Sequence, residues 1–315
     1  MKIAVIMSTY NGQKYIEDQI KSIFDNKLSD DITLYVRDDG STDNTCAMLN
    51  EMSKNFHIDL TVGNNMGYKK SFEKLVYDIV SLDYDIYYFA DQDDIWHKDK
   101  IAVFQHEFNC LSPRLVFSNA ELMINSQLSN QFLYEENYDI WKSFQSLFMY
   151  GNIYGMAMAI NKELMTIIKS DRPVNSIAHD NWIPIVAHLS GDIVYVNKPL
   201  VYYRVHDKQQ IGVSSSELIK PTTLLGKINK IFAHPFDKIA LLFKTDTFFS
   251  ERARLIDEMR LTKNLTHQQI SLITNLKEVR HSVFSRIKVL VNPLFRGKTP
   301  YYTVRYVIKV VIGNL

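Results

Sequence analysis

The chain is predicted to open with a doubly wound α/β domain, a mostly parallel sheet carrying helices on both faces, and to close with a helical extension. Three observations carry this. Apolar strand-like runs alternate with helix-periodic stretches through the first 110 residues. Three of those runs end in turn-forming and acidic residues: "STYNG", "RDDGS" and "DQDD". Charge also divides along the chain. From Glu217 onward there are 17 Lys+Arg against 7 Asp+Glu, a net of +10, whereas residues 1–216 net −9.

Taken in order, "KIAVIMS" reads as a strand, and "GQKYIEDQIKSIF" as a helix with Ile16, Ile20, Ile23 and Phe24 on one face. "ITLYVRDD" is a second strand, and "GSTDNTCAMLNEM" supplies a turn, cap-type residues Ser41 to Asp43 and a helix. "HIDLTVG" is a third strand, followed by a helix carrying Phe72, Leu75, Val76, Ile79 and Val80; "DIYYFA" is a fourth. This βαβαβαβ order calls for parallel neighbours, and in such sheets ligands collect beyond the carboxyl ends of the strands. The three acidic turns are therefore expected along one rim. After residue 110, "RLVFSNAELMI" and "YGMAMAI" read as strands, "KELMTIIKS" and "NWIPIVAHLSG" as helices, and "DIVYVNKPLVYYRVH" as one or two strands. From about residue 217 mostly helix is expected, for example in "FFSERARLIDEMRL". The division is thus 1–216, made of halves 1–110 and 111–216, and 217–315.

Composition narrows the function classes. The 315 residues allow one large domain or two modest ones with a substantial core. No run of 18 apolar residues reads as a spanning helix, and "MKIAVIMSTYNG" does not read as a signal peptide. Cys46 and Cys110 make neither a disulfide framework nor a metal cluster, so a cytoplasmic setting is expected. Neither GxGxxG nor GxxxxGK[ST] occurs, and there are no internal repeats. No nucleic-acid module is recognised, and an acidic first part would repel phosphate backbones.

The chemistry concentrates in the turns. Asp91 and Asp93, two apart at a strand end, can share one divalent cation; hard carboxylate oxygens suit Mg²⁺ or Mn²⁺, with phosphates completing the shell. The competing reading is a solvated acidic turn, which the buried-type strand before it and Ile95-Trp96 after it argue against. In "VRDDGSTDNT", Gly40 permits a sharp turn, and a carboxylate of Asp38 or Asp39 can accept the N3–H of a pyrimidine base.

Together "IMSTYNG…YIEDQIKSI", "VRDDGSTDNT", "NNMGYKKSF", "FADQDDIW" and "HDNW" resemble, in order and spacing, the family 2 glycosyltransferases of the GT-A fold. "DQDDIW" and "YYRVH" are most similar to the bacterial rhamnosyltransferase-like branch. The resemblance spans roughly residues 1–212. It implies that Thr9, Tyr10, Asn11 and Asp39 form a base-and-ribose pocket and that Asp91 and Asp93 hold the metal on the donor diphosphate. It also implies that Asp180 in "HDNW" is the general base of an inverting transfer. His179 stands where the family usually has Glu. "YGNIYGMAMAI" resembles the segment facing the acceptor.

Around that core, His206 is a candidate third metal ligand, and Arg204 and Lys69 candidate phosphate contacts. Trp96 and Trp182 are either sugar-stacking walls or core. The resemblance further implies a nucleotide-sugar donor, with dTDP-L-rhamnose favoured and UDP-hexoses open, and a surface-glycan acceptor linked to polyprenyl diphosphate. The basic tail then has three readings: a peripheral contact with the anionic inner face of the membrane, a domain packed on the catalytic part, or a homodimer interface. Two other classes compete, a metal-dependent nucleotidyltransferase and a non-catalytic nucleotide-sugar-binding module.

Overall fold

The computed structural model describes residues 1–26, 31–136, 138–144, 147–148, 153–170, 178–206 and 265–278. The expected alternation is present: β1 (Ile3–Thr9), α1 (Ile16–Phe24), β2 (Ile32–Asp38), α2 (Thr45–Met52), β3 (Ile58–Val62), α3 (Tyr68–Ile79) and β4 (Ile86–Ala90). These strands pair in parallel in the order β3-β2-β1-β4. β4 is buried along its whole length, and β1 nearly so, because helices cover both faces. Successive side chains point to opposite faces. Ala4 and Ile6 accordingly join the core beneath α3, while Ile3, Val5 and Met7 join the one beneath α1. Ile16, Ile20, Ile23 and Phe24 all enter the second core, as their spacing requires. Burying such a side chain contributes roughly 1.5–3 kcal/mol.

The second half departs from a mostly parallel sheet. It comprises β5 (Ile95–Trp96), α4 (Lys100–Glu107), β6 (Arg114–Ile124), β7 (Gln127–Phe132), β8 (Met158–Asn161), α5 (Lys162–Ser170), α6 (His179–Ser190) and β9 (Asp192–Val205). β8 lies between β4 and β6 and is antiparallel to both, while β6 and β9 are parallel. β5 and β7 also pair antiparallel, with β9 and β6. β4 and β6 therefore run in the same direction, with β8 in the slot between them. β7 and α4 were not anticipated. The β6–β7 hairpin turns through Asn125 and Ser126, both at positive φ (50° and 63°), which is what a tight two-residue turn needs. β9 is one bent strand, its register to β6 shifting on either side of Asn119.

In the tail, the described piece holds α7 (His267–Glu278), opened by a reciprocal cap in which Thr266 N–H donates to Gln269 and Gln269 N–H returns to the Thr266 hydroxyl. Leu265 and Ile273 join the core that contains α3 and α6. The helix expected over "FFSERARLIDEMRL" and the C-terminal basic segment lie outside the described residues. Among those described, no helix is long and apolar enough to cross a membrane.

Gly191 joins α6 to β9 where a Cβ would stand 1.9 Å from the Pro113 carbonyl oxygen, a backbone atom that cannot rotate away. Gly191→Ala is expected to cost about 1–3 kcal/mol, as overpacking does, read as a lower urea midpoint at unchanged slope.

Candidate active site

The rim forms because three strand-end loops are stitched to one another. Gln92 accepts from Tyr10 N–H (2.9 Å) and donates to the Tyr10 carbonyl (3.1 Å). Gly12 leaves room for it, since a Cβ there would stand 2.3 Å from its Oε1. Asn11, at φ 50°, donates its N–H to Ser41 Oγ and accepts from Thr42 N–H, each at 2.8 Å. Gln19 of α1 donates to the Asp91 carbonyl (2.8 Å). Tyr10 is left with its ring exposed on this rim.

Asp38 and Asp39 are both buried and engaged. Burial alone would raise the Asp38 pKa, but donors from Ser41, Thr9 and Cys46 together hold it below its usual value. The hydroxyls of Thr9 and Ser41 are thus committed to this carboxylate, at 2.8 and 2.6 Å. Ser41 therefore does not cap α2; the Asp43 carboxylate instead accepts the Thr45 N–H. Asp39 accepts from Arg37 Nη1 (2.5 Å), Met66 N–H (2.9 Å) and Gly67 N–H (2.8 Å). A carboxylate offers about four lone-pair sites; two donors reach Oδ1 and one reaches Oδ2. Arg37, 2% exposed, also donates to Ser71 and to the Asn64 carbonyl, fixing the 63–67 loop ahead of α3. Lys69 stands in the first turn of that helix.

β4 carries the acidic loop, and β9 returns to hold it. Pairing of Ile95 with Tyr202 and Trp96 with Val201 brings the end of β9 alongside. There Arg204 N–H donates to Asp94 Oδ1 (3.0 Å) and Arg204 Nε to the Asp93 carbonyl (2.8 Å). Its guanidinium also pairs with Asp18 (3.3 Å) and lies 4.7 Å from the Tyr15 ring. Arg204 is thus engaged by the protein as a brace for the loop, not held out as an open phosphate fork. His206 Nε2 lies 2.9 Å from Asp93 Oδ2. Asp91, half-buried, has its pKa raised to about 7, by burial first and then by the charges of Asp93 and Asp180, with Lys100 opposing. Asp180 stands in the first turn of α6, whose N-cap is Ala178, near enough for its charge to act on Asp91.

This donor set fits a hard divalent cation: Asp91 and Asp93 supply carboxylate oxygens in a locally negative field, beside an imidazole. Among the described residues no three carboxylate, imidazole or thiol groups converge into a closed cage. Mg²⁺ or Mn²⁺ here would draw remaining ligands from phosphate and water, its usual habit.

Several participants carried no sequence signal of their own. Asp94 is fully buried and its pKa is raised well above normal by burial, then by Asp93 and Asp91. Lys100 is equally buried, donates to the Met156 carbonyl (2.6 Å) and sits 3.8 Å over the Trp96 ring; burial holds its pKa well below normal. The third Asp of "DQDD" and a lysine at helix spacing after Trp96 were the available hints. Trp96 and Trp182, 2% and 1% exposed, are core residues, so neither forms a sugar-stacking wall.

Two consequences can be measured. Arg37→Met leaves Asp39 charged and buried without its partner, an expected loss of about 3–5 kcal/mol in urea unfolding. For Asp91 the folded pKa of about 7 exceeds the ordinary 3.8, so the folded state binds the proton more tightly. Its contribution to stability is then full at low pH and is lost as pH rises through about 7. In chelator-treated protein, wild type is expected to lose more stability than Asp91→Asn between about pH 5 and about pH 8.

Residues 4–153 match the family model described as glycosyl transferase family 2. A dTDP-rhamnosyl transferase of Shigella flexneri, RfbG, is 31% identical over 264 residues, covering 78% of this chain and 87% of its own. Among solved structures, S. aureus TarS 1–349 in complex with UDP-GlcNAc is similar at TM-score 0.54 and 16% identity, over 97% of this chain and 91% of that one. Mannosyltransferase PcManGT from Pyrobaculum calidifontis, in complex with GDP-Man and Mn²⁺, is similar at TM-score 0.53 and 13% identity, over 99% and 86%. Such identities speak for the fold alone. The motifs of the rim, the shared fold and the relationship to RfbG together place the chain: it belongs to glycosyl transferase family 2, as a GT-A-fold glycosyltransferase.

Proposed function

We propose that the chain transfers L-rhamnose from dTDP-L-rhamnose, with inversion and with a divalent metal, to a hydroxyl of a bacterial surface glycan carried on a polyprenyl diphosphate. The observation that carries the reading is the pair Asp91 and Asp93 in the loop after β4, with Asp93 Oδ2 2.9 Å from His206 Nε2 and Asp91 within the field of Asp180. The choice of sugar rests on the relationship to RfbG.

In this reading Tyr10 offers its exposed ring to the base, and Asp39 offers its remaining lone pair. Asp91 and Asp93 would hold Mg²⁺ or Mn²⁺, with His206 fixing the Asp93 carboxylate. The cation, when bound, neutralises charge on the departing diphosphate. Lys69, at the mouth of α3, adds a positive charge on the phosphate side. Asp180 takes the proton of the acceptor hydroxyl as that oxygen bonds to the anomeric carbon and the bond to the diphosphate breaks. The products are the glycoside and dTDP, and no enzyme-bound sugar is required. The tail, net +10 from Glu217 onward, supplies the contact with an anionic membrane surface.

The test is thermal unfolding with dTDP-L-rhamnose, UDP-sugars and GDP-sugars, with and without Mn²⁺. A ligand at 100 times its Kd stabilises the folded state by about 2.7 kcal/mol. Stabilisation by dTDP-L-rhamnose that needs Mn²⁺ and is lost in Asp93→Ala is expected; preference for a UDP- or GDP-sugar would overturn the donor. Asp180→Asn is expected to keep that stabilisation while turnover falls about 10²–10⁴-fold, the usual worth of a general base. Unchanged turnover would remove Asp180 from the role.

A further inference from the structure

His179 is an unusual residue to bury. It is 6% exposed, and among the described residues neither ring nitrogen has a hydrogen-bond partner. Its ring lies between Phe72 of α3 (centroids 4.2 Å apart) and Phe89 of β4 (4.9 Å, planes 17° apart). Burial pushes its pKa down to about 3, so the ring is neutral at any working pH. Leaving buried polar atoms without partners is destabilising, so the ring is held here for its shape and placement.

What the ring faces supplies the reason. A Cβ on Gly155 would stand 2.3 Å from His179 Nε2 and 3.0 Å from Cε1. The wedged ring cannot yield, so only glycine fits. Gly155 opens a short 3-10 turn, Gly155–Ala157, whose next carbonyl, that of Met156, accepts from buried Lys100. The turn is therefore gripped from both faces of the sheet. On one face is the residue adjoining Asp180; on the other is the lysine stacked on Trp96, just beyond the Asp91–Asp93 loop.

We infer that His179 is a positioning residue: seated against Gly155, and through the turn against Lys100, it sets the spacing between Asp180 and the Asp91–Asp93 carboxylates. The inference rests on the donor and base roles proposed above and goes beyond them, because it assigns geometry to residues that touch no substrate.

The test is a double-mutant cycle of Gly155→Ala and His179→Ala. Two quantities are read: conversion of dTDP-L-rhamnose to dTDP with Mn²⁺ and water as acceptor, and affinity for dTDP with Mn²⁺ by calorimetry. Each single variant is expected to lose turnover by about 10²-fold, the effect of roughly 1 Å of misplacement, with dTDP affinity kept within about two-fold. The double variant should lose no more than His179→Ala alone, since the ring that Ala at 155 strikes is gone. His179→Ala only removes atoms and carries the test if Gly155→Ala fails to fold. Losses that multiply, affinity that falls in step with turnover, or wild-type turnover in His179→Ala would each overturn the positioning role. A wild-type protein that neither binds dTDP nor consumes the donor overturns the donor reading itself, and the positioning role with it. Bound dTDP with failed coupling overturns only the latter.

Discussion

Mutual repulsion among Asp91, Asp93, Asp94 and Asp180 is the constraint around which the second half of the molecule is arranged. Burial first, and like charges at short range second, resist the ionisation of these groups, and the raised pKa of Asp91 expresses both. Something must oppose that repulsion in the folded protein. Lys100 lies buried beneath, and Arg204 braces the loop through its own N–H and through the Asp93 carbonyl. Lys100 opens α4, the helix that follows the loop, whereas Arg204 arrives on the last residues of β9, 111 residues from Asp93.

This explains why the sheet is mixed. The first four strands need only the repeated crossover to place three acidic turns on one rim. Bracing the third turn requires β9 to reach past β6 and pair with the two residues of β5. The register of β9 to β6 shifts opposite Asn119 of β6, and the end of β9 delivers Arg204, with His206 directly after the strand. The antiparallel β8 brings the Gly155–Ala157 turn to the same edge, immediately before its first residue. That turn thereby stands between His179, the neighbour of Asp180, and Lys100, which opens the helix after the acidic loop.

Much of the site's inventory was legible in the residues, and little of its wiring. Acidic turns after continuous apolar runs identified Asp38, Asp39, Asp91 and Asp93, because parallel strands put such turns on one rim. Tertiary context overruled individual roles. Thr9 and Ser41 serve Asp38 rather than standing open, and Trp96 and Trp182 fill the core. Gln92, Asp94 and Lys100 were passed over because an amide, a third aspartate and a lysine on a short helix have no periodic signature.

By itself the sequence determined the alternation of strands and helices through residue 90, the two-sided burial of β1 and β4, and the residue types at their ends. Those features follow from local periodicity and from the handedness of βαβ crossovers. Only the tertiary structure decided that Arg204 meets Asp93 across 111 residues, that His206 meets it across 113, and that Gly155 must be glycine because of His179. Long-range pairing depends on the path of β8 and β9 through space, and no periodicity in the chain encodes where two distant side chains will come into contact.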